Sequence, residues 1–224
     1  MKARWSRKAR RRREGDDGPV ARDQHESAFA AILADLVARF PGARAAALVD
    51  RDGETVDYAG CRNPYELKVA AAHLRIVLDQ ARSQPSVTKA LGQPRSVLVR
   101  AGRASFLVQA LPEAYALVVW MARGAGFRGR TRAVPVCVHR LAREAGWPAS
   151  VSPWHPIDVD LDARNTPNAL RFGHTLASLE VLGRFRTILP EHERAWRVRN
   201  LFGVEFTLVR EVGGFWYMDA LVAE

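Results

Sequence analysis

Apolar residues return at three- and four-residue steps through Phe29, Ile32, Leu33, Leu36, Val37 and Phe40, the stripe of an amphipathic helix that Pro41-Gly42 stops. Asp23 and Glu26 stand three apart just ahead of it and predict a capping box at its start. The period then changes. Residues 45–49, Ala-Ala-Ala-Leu-Val, are too short and too uniformly apolar for an amphipathic helix and read as a strand. Residues 50–53, Asp-Arg-Asp-Gly, supply a turn, and residues 55–58 return as a second strand. The small alanines leave room for helices on both faces of the first strand.

Pro64 opens a long helix over residues 65–82 whose apolar positions are spread widely: Leu67, Ala70, Ala71, Leu74, Val77, Leu78 and Ala81, with Val69, Ala72 and Ile76 beside them. One stripe is enough to pack a helix on a sheet, so the excess predicts a second buried surface, most simply against a partner subunit. A loop at Gln84-Pro85 and a break at residues 92–94 lead to three strands at 96–100, 104–109 and 115–121, joined by turns at Ala101-Gly102 and Leu111-Pro112-Glu113. A last helix covers 132–145, with Pro135 in its first turn and Gly146 at its end; its core face is Val134, Val138, Leu141 and Ala142.

Past Trp147-Pro148 the pattern loosens. Residues 148–168 read as a linker, although 157–161 alternate apolar and acidic, and residues 175–186 are ambiguous between helix and strand. Residues 196–199, 204–209 and 215–221, separated by turns at 200–203 and Gly213-Gly214, read as an antiparallel meander. Phe206, Leu208, Phe215, Trp216 and Tyr217 are concentrated there, as expected of a compact β core. The expected organisation is a basic arm (1–22), an α+β domain (23–147), a linker (148–168) and a β-rich module (169–224).

The succession helix, two strands, helix, three strands, helix, with Pro41-Gly42 before the first strand and Leu48-Val49-Asp50 through Asp52-Gly53 in the hairpin, resembles the roadblock family, named for a dynein light chain, over residues 27–146. The resemblance implies a five-stranded antiparallel sheet with the long helix on one face and the two terminal helices on the other. It also implies a homodimer that joins third strands edge to edge and pairs long helices. Here the matching residues are Val97 and Val99 on the strand and Leu74, Val77 and Leu78 on the helix. The function implied is a non-catalytic scaffold or regulator that binds a small Ras-like GTPase or another signalling partner. An unpaired third strand is in any case an aggregation hazard, which favours dimerisation on physical grounds. The polar residues of the long helix, Glu66, Lys68, His73, Arg75 and Asp79, are candidates for partner contact, against the plainer reading of a solvated face.

Composition changes this picture at the N-terminus. The chain has 224 residues, 48% hydrophobic and 26% charged, enough for a sizeable core, and a formal charge of +10. Residues 1–14 hold eight cations, Arg10, Arg11, Arg12 and Arg13 among them, against the single Glu14; that +7 leaves only +3 for the rest. The arm therefore carries a second reading, a nucleic-acid-associated protein or one that meets an anionic surface. Cys61 and Cys137 are too far apart for a CxxC pair, so neither a disulfide framework nor a zinc knuckle is expected. No apolar run reaches membrane-spanning length and no secretory signal is legible, so a cytoplasmic location is expected.

A third reading is a nucleotide-binding enzyme, because Gly124, Gly126 and Gly129 with Arg128 match G-x-G-x-x-G between a strand and a helix. The strand before it closes an antiparallel meander instead of opening a parallel unit, and no acidic residue ends a second strand, so a simple connection is favoured. Asp158, Asp160 and Asp162 begin like a calcium loop, but Ala163 and Ala169 replace the glycine and glutamate it requires; a polar strand face accounts for them. The six histidines lack metal-ligand spacing and no nucleophile motif is present. Neither a cofactor nor catalysis is expected.

Overall fold

The computed structural model describes residues 22–61, 63–123, 125, 131–148, 154–185, 193–211 and 213–219. Arg10 to Arg13 and the glycine-rich residues Gly124, Gly126, Arg128 and Gly129 lie outside the described residues.

Helix α1, Ala28–Arg39, starts at Ser27, whose hydroxyl accepts from the Phe29 N–H, and the Phe40 N–H closes its last turn on Leu36 O. The expected capping box at Asp23 and Glu26 is thus displaced by four residues. Asp23 is taken by tertiary partners: Tyr58 Oη donates to it at 2.8 Å and Lys68 Nζ at 2.9 Å. Strands β1, Ala43–Val49, and β2, Thr55–Ala59, form the expected hairpin. Asn63 caps α2, Pro64–Ser83, by accepting from the Glu66 N–H. A short helix α3, Pro85–Leu91, occupies what was expected to be loop; its Pro85 stands in the first turn, where the missing N–H is no loss. Strands β3, Ser96–Arg100, β4, Ala104–Ala110, and β5, Ala116–Ala122, precede α4, Ala133–Glu144.

The five strands form one antiparallel sheet in the order β2-β1-β5-β4-β3. Alternation along β1 divides the core in two. Ala46 and Leu48 face the side packed by α1 (Leu33, Leu36) and α4 (Val134, Leu141), while Ala45, Ala47 and Val49 face Leu67, Ala71, Leu74 and Leu78 of α2. Gly60 shows how close the backbones come. Its φ is +81° and an added Cβ would stand 2.7 Å from the Arg44 carbonyl oxygen, so Gly60→Ala is expected to destabilise the domain by about 1–3 kcal/mol in denaturant titration.

The C-terminal residues build more than a loose β module. Strands β6, Trp154–Leu161, β7, Pro167–Phe172, β8, Thr175–Arg184, β9, Arg194–Asn200, β10, Glu205–Arg210, and β11, Trp216–Asp219, close into a six-stranded barrel in the order β10-β11-β6-β7-β8-β9. The stretch expected as a linker supplies β6 and the start of β7: Ile157, Val159 and Leu161 turn into the barrel, and Asp160 turns out to pair with Arg171. Trp196, Phe206, Leu208 and Trp216 fill the interior, the two tryptophan rings 5.0 Å apart. Tyr217, next along β11, is fully buried but outside that cluster.

Barrel and sheet domain touch through a small polar junction. Arg132, at the start of α4, donates from Nη1 to Glu211 at 3.0 Å and to Glu193 at 3.2 Å, with its guanidinium 4.3 Å from the Trp154 ring centre. Glu211 also accepts from the Arg132 backbone N–H at 2.9 Å, so a barrel carboxylate satisfies the first turn of a helix in the other unit. Arg39, at the end of α1, lies over the Phe215 ring.

Burial pushes the Glu211 carboxyl above its ordinary value of 4.5, with Arg132 opposing the shift. The folded chain therefore holds this proton more tightly than the unfolded chain, and the stability this group contributes is present at low pH and lost as pH rises through the raised value. Glu211→Gln keeps an acceptor without the charge and is expected to flatten that decline above about pH 4.5 in thermal melts across a pH series. Glu211→Leu removes the acceptor and is expected to cost about 1–3 kcal/mol. Parallel pH profiles for wild type and Glu211→Gln would count against this junction.

Candidate interaction surface

The two edges of the sheet are treated differently. Along β2, the segment leading into α1 covers the border: Arg22 donates to Tyr58 O at 2.7 Å and Gln24 Nε2 to Val56 O at 3.0 Å. Fully buried Asp57 holds this segment by accepting from Arg22, from Ser27 Oγ and, at 3.1 Å, from the Ser27 N–H. Asp23 adds a second tether, its carboxyl held below the usual range first by Lys68 and then by Tyr58. At the other border β3 pairs only with β4, and no strand covers its outer side among the described residues.

The sheet face beside that open border is also incompletely covered. Helix α2 lies over β2, β1, β5 and β4. Val97 and Val99 of β3, Phe106 of β4 and Trp120 of β5 line the same face but stay partly exposed, the last two rings packed 5.3 Å apart. The outward side of α2 also exposes apolar side chains, Tyr65, Val69, Ile76 and Val77, of which Ile76 is 55% exposed.

This geometry sorts the residues expected at a dimer contact. Val97, Val99 and Val77 are accessible, whereas Leu78 is 0% exposed and Leu74 is buried, both packed against the chain's own sheet. Ile76, Val69 and Tyr65 are exposed on the outward face of α2; Ile76 and Val69 stand among the excess apolar positions of the sequence, which do not tell inward from outward. Among the polar candidates, Glu66, His73 and Asp79 are exposed and Lys68 is engaged with Asp23. Arg75 is a correction: it is buried, pairs with Asp79 and donates to Ala114 O at 2.7 Å, holding the β4–β5 turn where Glu113 and Ala114 adopt positive φ. It is a structural residue of the sheet domain.

A cleft of about 620 Å³ opens between the sheet and the start of α2, lined by Arg44, Gly60, Cys61, Asn63, Glu66 and Trp120. Burial pushes the Cys61 thiol up, away from the thiolate form a nucleophile needs, and Cys137 in the core is pushed up to about 12. No group of three His, Cys, Asp or Glu side chains among the described residues is arranged to hold a metal, and no described helix is long and apolar enough to cross a membrane. The surface thus presents an open strand, a partly exposed apolar sheet face and a cleft of mixed polarity.

Over about half its length the chain matches solved Roadblock/LC7 domain structures. One is a Roadblock/LC7 domain from Streptomyces avermitilis, 21% identical, covering 52% of this chain and 95% of that one with a TM-score of 0.44. MglB from Myxococcus xanthus is 15% identical over 55% of this chain and 98% of its own, TM-score 0.44. The gliding protein mglB from Thermus thermophilus is 20% identical over 55% and 94%, TM-score 0.44. No family model and no curated protein matches the chain. The match leaves the C-terminal region uncovered.

Proposed function

We propose that this protein is a non-catalytic homodimeric platform, joined along β3 and the outward face of α2, that presents a composite surface to a small Ras-like GTPase or another signalling partner. The observation that carries the dimer is the coincidence of an unpaired terminal strand with exposed apolar side chains, Val97, Val99, Phe106 and Trp120 partly exposed on the sheet and Val69, Ile76 and Val77 exposed on the helix. Polypeptides rarely leave such a strand and such side chains facing water together. The partner class comes from the family resemblance of residues 27–146. A platform of this kind alters a GTPase by holding its switch segments, supplying no catalytic group itself.

Pull-down of candidate Ras-like GTPases in their GDP- and GTP-loaded forms tests the partner. The expected result is retention of one nucleotide state over the other. Retention of neither would remove this partner class while leaving the dimer to be judged by its own measurement. Glu66 and His73, both exposed on α2, are the first residues of this chain to alter once a GTPase is retained.

A further inference from the structure

The cleft of about 620 Å³ between the sheet and the start of α2 has two chemically different walls. Arg44 and Trp120 stand on the sheet side. The pairing of β1 with β5 slips between Ala43 and Ala45, so Arg44 has no partner in β5 and sits as a bulge next to Ala45, which pairs with Trp120. A bulge of this kind re-aims a side chain away from the regular alternation of the strand. On the helix side stand Asn63, the cap of α2, and Glu66 in its first turn.

Each wall leaves polar groups unused. The Arg44 guanidinium and the Glu66 carboxylate have no ion-pair or hydrogen-bond partner among the described residues. Trp120 Nε1 is buried and lacks an acceptor there as well, an unpaired donor of a kind that folded chains seldom leave. Cys61, also in the lining, is held as the neutral thiol by burial and adds a small apolar surface. The sheet wall therefore carries a cation and donors, and the helix wall an anionic acceptor. A ligand that satisfies both is a zwitterion, its acceptor end on Arg44 and Trp120 and its cationic donor on Glu66. A phosphate or a nucleotide would satisfy Arg44 but set its own charge against Glu66.

The volume lies inside the range of roughly 300–1,000 Å³ typical of small-ligand sites, with room for a bulky group beside the two charges. We propose that this cleft binds a free α-amino acid with a large apolar side chain. Its carboxylate meets Arg44 and the Trp120 indole N–H, its ammonium meets Glu66, and its side chain lies against Trp120 and Cys61. The site is contained in one chain and rests on neither the dimer nor a GTPase.

Titration calorimetry of the full chain with L-phenylalanine and L-leucine tests this, beside two analogues of phenylalanine that each lack one charge, 3-phenylpropanoate and 2-phenylethylamine. Running it on the wild type and on Ile76→Asp keeps the result independent of oligomeric state, because Trp120 also belongs to the proposed dimer face. Expected is a dissociation constant on the order of 1 mM or tighter for at least one amino acid, and binding about tenfold weaker for each analogue than for phenylalanine. Arg44→Gln and Glu66→Gln should each weaken phenylalanine by about tenfold or more, and Trp120→Phe, which keeps a ring but removes the N–H, by about threefold to tenfold. Direct contact has a further signature: Arg44→Gln should leave 2-phenylethylamine unaffected, and Glu66→Gln should leave 3-phenylpropanoate unaffected. Arg44 and Glu66 are exposed, so both variants should keep the wild-type circular dichroism spectrum and melting temperature. No binding of either amino acid up to about 10 mM in both chains overturns the proposal. So does phenylalanine bound no more tightly than its one-charge analogues, or binding undiminished in Arg44→Gln and Glu66→Gln.

Discussion

Replacing Asp57 by alanine is expected to lower stability by about 3–5 kcal/mol, the size expected when one member of a buried, hydrogen-bonded ion pair is removed. Asp57 is 0% exposed, and its two oxygens collect the Arg22 guanidinium and both donors of Ser27. Truncation strands all of these donors at once. It also frees the strap formed by Arg22 and Gln24 from β2, so a second sheet border becomes available for pairing. Denaturant titration should show the lost stability, and light scattering on heating should show earlier aggregation than in wild type. Ser27→Ala, which removes one cap hydroxyl, should cost only about 1 kcal/mol. A change below about 1 kcal/mol for Asp57→Ala would mean that the strap does not hold in solution.

Ile76→Asp is expected to dissociate the proposed dimer without unfolding the chain. Ile76 is 55% exposed on the outward side of α2, so a carboxylate there is solvated in the monomer. In the dimer it would be buried without a counter-charge, at a cost of about 3–5 kcal/mol, or roughly a hundredfold to a thousandfold and more in dissociation constant. Val77→Asp should act in the same direction. Leu78→Asp makes the contrast: Leu78 is 0% exposed against the chain's own sheet, so this substitution should unfold the domain. Circular dichroism beside a mass measurement separates the two outcomes.

Most of the sheet domain was legible because its signals are local. The short, uniformly apolar run of β1, the Asp50 to Gly53 turn and the Pro41-Gly42 stop each reflect the geometry of a few neighbouring residues. Helix α3 was missed because residues 86–88, Ser-Val-Thr, are poor helix formers and only Pro85 marked a start. The cap of α1 was misplaced because Asp23 and Ser27 are both good cap residues, and Asp23 is claimed by Tyr58 and Lys68, 35 and 45 positions away. On α2, ten apolar positions spread around the helix, so composition announced an extra surface without saying that Leu74 and Leu78 turn in and Ile76 and Val77 turn out. Arg75 carried no local sign of burial; its carbonyl partner exists only because Glu113 and Ala114 take left-handed backbone at a distant turn.

The barrel shows the same division between near and far. The β9–β10–β11 meander is a run of short hairpins, and it was read from its turns. Closure was not legible, because it requires β6 to pair with β11 at the far end of the module, and residues 148–168, which supply β6, carry the signature of a linker despite the alternating Ile157, Val159 and Leu161. Tyr217 was expected in an aromatic core; strand alternation instead sends Trp216 and Met218 inward and Tyr217 to the opposite side of the strand, where burial pushes its phenol up.

The dimer is the claim on which the functional account turns, and multi-angle light scattering of the wild-type chain across a concentration series tests it most directly. The account predicts twice the monomer mass at micromolar concentration, reverting to a folded monomer in Ile76→Asp. A wild-type chain that keeps the monomer mass at every concentration, or an Ile76→Asp chain that stays folded and dimeric, would contradict it.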